Sequence, residues 1–138
     1  MNHTSTTSND AALLLGRVLA SALFLFGGWG KLMAAAGTKA YLAKIGLPAP
    51  DIAYLVAVAV ELGGGLLFLL GVRMREVALV LAIWCVATAL IAHADFGDRA
   101  QMTHFLKNLG LAGGFLAFMA AGAGGYSVDG AMRRRVIA

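Results

Sequence analysis

Four apolar runs, each about as long as a bilayer is thick, constrain this chain more than any other feature of its sequence. An α-helix rises about 1.5 Å per residue, so a hydrocarbon layer of about 30 Å takes about 20 residues to cross. Residues 11–30 form such a run, interrupted only by Arg17 and Ser21. Residues 52–71 form a second, with Glu61 as its one charge. Residues 77–94 end in His93, and residues 104–123 open with His104, Lys107 and Asn108. Hydrophobic residues make up 60% of the chain and charged ones 13%, where soluble domains carry about 25% charge. A water-soluble domain is therefore excluded, because so little polar surface does not cover a core of this size. The expected fold class is all-α, an integral membrane antiparallel four-helix bundle embedded in the lipid bilayer as one domain.

The segments between the runs set the topology. Residues 1–10 are polar and read as an unstructured tail, and residues 125–138 as a basic C-terminal tail ending near Arg133, Arg134 and Arg135. The first run has no basic start and no small-residue cleavage site, so it is expected to remain as a span and not to be a signal peptide. Residues 31–51 form the first loop, where Tyr41, Leu42, Ile45 and Leu47 interleave with lysines as in an amphipathic turn at the interface. The turn at Arg73, Arg75 and Glu76 is too short for anything but an antiparallel return. Both termini then share one side. Setting aside Arg17, Lys31 and Lys107 inside or at the edge of helices, that side has Arg73, Arg75, Arg133, Arg134 and Arg135 against Lys39, Lys44 and Arg99 opposite, which favours cytoplasmic termini. The net charge of +4 is scattered through these turns, so nucleic acid is not an expected partner. Trp29, Tyr41 and Tyr54 suit the far interface, whereas Trp84 lies mid-helix and reads as packing.

Ionisable residues at membrane depth cost a few kcal/mol each and are the first candidates for function. Arg17, Ser21, Phe24, Gly28 and Lys31 share one face of the first helix. Glu61 falls near the midplane, and Arg17 differs from it in depth by about 6 Å, within reach of an arginine side chain. The expected pair is Arg17–Glu61, with Lys107 as the alternative partner of Glu61. Such a pair either ties helix register or places Glu61 to bind and relay a proton at a polar headgroup. His93, His104, Lys107 and Asn108 gather at the far end of the third and fourth helices. Snorkelling and loop capping account for them, as does a second role in which histidines hydrogen-bond a quinone carbonyl or hold a haem. The glycines at 27, 28, 30, 63, 64, 65, 110 and 114 either allow tight helix contact, with Gly110 and Gly114 at small-xxx-small spacing, or leave a slot for a flat ligand. Cys85 stands alone, which excludes an internal disulfide or a dithiol pair, and it reads as a small hydrophobe. No metal, haem or flavin motif, phosphate loop or hydrolytic triad is readable.

In order along the chain stand Gly16-Arg17, Gly27-Gly28-Trp29-Gly30-Lys31-Leu32, Gly46-Leu47-Pro48, Glu61-Leu62-Gly63-Gly64-Gly65, Leu70-Gly71-Val72-Arg73, Phe105-Leu106-Lys107-Asn108-Leu109 and Gly122 to Asp129. This succession resembles the DoxX family of small four-helix membrane proteins, from about Leu13 to Asp129. The resemblance implies a multi-pass protein of a bacterial inner membrane and an oxidoreductase component associated with quinone, with a soluble redox or thiol enzyme as partner. It also points to Arg17, Lys31, Glu61, Lys107 and Asn108 as the family's polar positions. With no self-contained redox motif, electrons have to pass through a bound quinone or a partner. Two readings follow. In one, Glu61 acts catalytically while Arg17, Lys31, His93, His104, Lys107 and Asn108 bind a quinone headgroup. In the other, the bundle is a non-catalytic scaffold that docks a soluble partner. A transporter is a weaker third, since a single bundle lacks inverted repeats and needs a homodimer to form a pathway.

Overall fold

A computed structural model describes the backbone of residues 3–137 and the side chains of residues 8–136. The elements are α1 (His3–Met33), α2 (Ala35–Lys44), α3 (Pro50–Val58), a π-helical segment (Ala59–Gly64), α4 (Gly65–Leu70), α5 (Met74–Ala92), α6 (Arg99–Ala121) and α7 (Val128–Ile137). The protein is an all-α membrane protein. Three stretches are long and apolar enough to cross a bilayer: Ser8–Met33, the continuous helix Pro50–Leu70, and Met74–Ala92. The outward faces of these helices fit lipid and not water, since Phe26 is 81% exposed and Leu19, Ile83 and Leu90 lie open as well. α6 is comparable in length, 23 residues, and runs back along α5. Its first ten residues include Arg99, Gln101, His104, Lys107 and Asn108, and this polar start sets it apart from the other three.

Several boundaries differ from the sequence reading. Where a polar tail is expected through residue 10, α1 already runs from His3, and only residues 1 and 2 of that tail lie outside the described backbone. The expected loop 31–51 contains a helix, α2. Gly46, at φ +80°, ends it with N–H bonds back to Ala43 and from Leu47 to Leu42, and Pro50 then opens α3 at its first turn. Most of the expected C-terminal tail is α7, with Ala138 outside the described residues.

The core joins α1, α4, α5 and α6 through an aromatic cluster. Phe115 of α6 meets Phe24 edge-on at 5.3 Å and Phe68 at 4.9 Å, and Phe68 meets Phe118 at 5.0 Å. Ala78, Leu81, Ala82 and Cys85 of α5 pack against this cluster. Small residues on α5 leave the volume the rings fill.

At the end where α1 begins, the C-terminal segment closes the bundle. Gly71, at φ +68°, and Arg73, at φ +45°, make the sharp turn from α4 to α5. That turn leaves the first N–H groups of α5 without a cap from their own N-cap side chain. Asp129 supplies it from 55 residues away, its carboxylate accepting from Arg73 N (2.9 Å) and Met74 N (2.8 Å). Asp129 N in turn donates to Gly71 O at 3.0 Å. On the other side Asp10 of α1 accepts from Gly125 N at 2.6 Å. Replacing Asp129 by Ala removes two charge-assisted bonds, and the loss of a helix cap costs about 1–2 kcal/mol. We expect a lower thermal midpoint for Asp129→Ala in detergent, with Asp129→Asn, which keeps an acceptor, falling between it and the wild type. Equal midpoints for all three would disprove the capping role.

Candidate functional site

Glu61 lies in the π-helical segment, next to the glycine triplet at 63–65. A π-turn widens the helix by one residue and is often found where a side chain is placed for function. Here it turns Glu61 towards α1, where Gly27 and Gly28 clear the way. A Cβ at Gly27 would stand 3.2 Å from Glu61 Oε2, and one at Gly28 would stand 2.8 Å from Leu62 Cγ and 3.0 Å from Glu61 Cβ. The Glu61 and Leu62 side chains therefore lie directly against the α1 backbone at this level. One turn further along α1, Lys31 folds inward and donates from Nζ to Glu61 Oε2 at 2.8 Å. Glu61 is 8% exposed.

The expected Arg17–Glu61 pair does not form. Arg17 is fully buried at the opposite end, where it donates to the carbonyl oxygens of Leu69 (3.0 Å) and Tyr126. Counting residues placed Arg17 within reach of Glu61, but its shorter route is to the free carbonyls at the end of α4 and after α6. Helix C-terminal carbonyls are unsatisfied and partly negative, so they receive a guanidinium well. Lys31, at the boundary by residue count, reaches inward by the length of its own flexible stem. Lys107, the alternative partner, donates instead to His104 Nδ1 at 3.2 Å.

Glu61 and Lys31 form one polar end of a cavity of about 550 Å³ between α1, α2, α3, α5 and α6. This volume lies within the range of small-molecule sites. Lys107, Asn108 and His93 also face it, so five of the seven expected site residues meet around one space. Arg17 and His104 do not line it. His104 stacks on His93 at 5.1 Å between ring centroids, and His93 Nδ1 bonds the Gln101 side-chain oxygen at 2.7 Å. The remaining walls are largely apolar, with Leu23, Phe24, Val56 and Leu111 among them.

The sequence reading missed two contributors. Trp84, Thr88 and Ile91 line the cavity from one face of α5, and their spacing of four and three was visible in the sequence. Cys85, read as a small hydrophobe, is buried in the core and also borders the cavity. α2 is the other. Thr38, Tyr41, Leu42 and Ile45 recur at helical spacing and, with Leu47 beyond the helix, line the cavity, so the expected amphipathic turn is a helix that covers it. Tyr41 fastens this helix by donating to Ala92 O at 3.2 Å. Lys39 fastens it to α3 through Asp51 at 2.7 Å and sits 5.2 Å over the Tyr54 ring. The hydrogen bond to Asp51 holds the Lys39 ammonium above its ordinary pKa.

A small multi-pass helical membrane protein, with a ligand-sized cavity whose polar end is a matched ion pair, is the class that fold and site define. Within that class the chain belongs to the DoxX family, whose profile matches residues 12–94, from α1 through α5. Two curated relatives come from Escherichia coli strain K12. Inner membrane protein YqjF is 35% identical over 91% of this chain and 95% of its own. Inner membrane protein YphA is 34% identical over 85% of this chain and 87% of its own. No solved structure matches the chain.

Lys31 and Glu61 depend on each other, since removing one partner of a part-buried pair leaves a charge unmatched. Lys31→Met and Glu61→Leu singly are each expected to lower thermal stability more than the double variant does. The pairwise coupling is about 1–3 kcal/mol, read from unfolding midpoints. Additive losses would show that the two side chains act independently.

Proposed function

We propose that this chain is an inner-membrane subunit that binds a quinone or quinol headgroup in the cavity and works with a partner redox enzyme. The observation that carries this reading is the cavity itself: a largely apolar chamber with the Lys31–Glu61 pair, Lys107, Asn108 and His93 around it. A quinone asks for that combination, an apolar surface for its ring and polar groups at its carbonyl oxygens. In this role Lys31 and Asn108 donate hydrogen bonds to carbonyl oxygens. Glu61 carries the proton that a quinone takes up or a quinol gives off with each electron. One cysteine does not make a dithiol, so the electrons come from or go to the partner, a soluble redox or thiol enzyme.

The same reading takes α6 as a fourth span and the arginine-rich end as cytoplasmic. The names of the two Escherichia coli relatives support an inner-membrane location. A second reading, a non-catalytic scaffold, is favoured by α7, where Met132, Val136, Arg133 and Arg135 are exposed on a helix pinned to the bundle. It predicts that a soluble enzyme co-purifies through α7 and that neutralising Glu61 leaves function intact.

Trp84 lines the cavity, so in a Trp29→Phe background its fluorescence reports headgroup occupancy. A tailless benzoquinone is expected to quench it saturably in detergent. Glu61→Gln in that background is expected to weaken binding by about tenfold, or about 1.4 kcal/mol, with helical content retained. Quenching that never saturates, or a midpoint indifferent to Glu61→Gln, would remove quinone from this cavity.

A further inference from the structure

A second hollow lies beside the cavity. It is a groove of about 340 Å³ on the lipid-facing side between α1 and α6, lined by Ala20, Gly110, Leu111, Gly114, Phe115 and Phe118, with Lys107 at one end. Lys107 and Leu111 border both spaces, so the two are neighbours across one stretch of α6. A Cβ added at Gly110 or Gly114 would meet nothing within 4 Å. The small-xxx-small spacing expected to seat a helix therefore faces open space within this chain.

The direction of the groove matters more than its small residues. From Lys107 to Phe118 is eleven residues, about 16 Å along α6, running from the helix's polar start towards its apolar half. A lipid in that leaflet lies the same way, head at the polar boundary and tail towards the midplane. Past Lys107 every lining residue of the groove is apolar or glycine, so it offers a headgroup nothing and an alkyl chain everything.

We infer that this groove holds the long apolar tail of the ligand whose headgroup sits in the cavity, so that the ligand is a membrane-dissolved quinone bearing a polyprenyl or alkyl chain and not a free quinone. The inference rests on the quinone reading above and adds the tail subsite. Lys107 marks the junction, its ammonium level with the headgroup and its stem over the start of the tail. Leu111 sets the width of the passage.

The test compares a tailless benzoquinone with the same headgroup bearing a decyl chain, using Trp84 quenching in the Trp29→Phe background and concentrations expressed as mole fraction in the micelle. Gly114→Leu and Gly110→Leu fill the groove, and Gly113→Leu, on an open part of α6 outside it, is the control. In the wild type the chain is expected to tighten binding by about tenfold. Each groove variant should erase most of that advantage while leaving tailless binding unchanged, and Gly113→Leu should keep it. The inference is overturned if the tail adds nothing in the wild type, if the groove variants weaken both quinones equally, or if they displace a co-purifying phospholipid while the tail advantage stays. Failure of the tailless quinone to bind the wild type has a different meaning: it overturns the cavity reading itself, and the tail subsite with it.

Discussion

A carboxylate far from water has to be matched, and meeting that requirement at Glu61 organises the far half of this protein. Three features of the chain converge on it. The π-turn aims the side chain at α1, Gly27 and Gly28 let α1 come close enough to receive it, and Lys31 bends inward to neutralise it. Each is individually unfavourable, since glycine weakens a helix, a π-turn breaks its bonding pattern and an inward lysine leaves water. Together they are consistent only if Glu61 is to be held there. An apolar residue at the same position would have needed none of them, which is the physical reason to place function at this pair and not in the aromatic core.

The opposite end solves the problem of buried charge by another route. Among the described residues no carboxylate lies within bonding distance of Arg17, which is held by backbone carbonyls of Leu69 and Tyr126. Ser21, one turn further on, is also buried, and its hydroxyl has no hydrogen-bond partner among the described residues. The two ends thus divide the work. The arginine end is closed by main-chain carbonyls on Arg17 and by the Asp10 and Asp129 carboxylates on main-chain N–H groups. The lysine end keeps a side-chain pair facing open volume, under α2, whose own residues are not buried.

Much of the fold was legible in the sequence because a bilayer imposes a length and a polarity on each element. The apolar runs at residues 52–71 and 77–94 lie within one to three residues of the helical stretches Pro50–Leu70 and Met74–Ala92. The requirement that charges at depth face inward picked out Glu61 and Lys31. Pairing was not legible. Depth along an ideal helix says how far apart two residues lie in one dimension, and it placed Arg17 beside Glu61 without knowing that the chain's end returns to offer Arg17 a carbonyl. The covering helix α2 was obscured by Lys39 and Lys44, whose charges made the segment look like a solvated loop while Tyr41, Leu42 and Ile45 carried a helical stripe. Trp84 packs against the core as its mid-helix position implies, but it also lines the cavity, and nothing in a single helix says which of its neighbours will leave a gap.

The return of the chain's end has a consequence for how the molecule is made. Synthesis runs from the N-terminus, so α1 with Arg17 reaches the membrane before Tyr126 and Asp129 are made. Arg17 therefore waits for one of its two carbonyl partners until 109 further residues have been made, and Met74 at the start of α5 waits 55 residues for its cap. Insertion and completion are separate events in this protein. A truncation that spares every apolar helix still leaves an arginine short of a partner inside the bundle, a lesion that membrane quality control is equipped to detect.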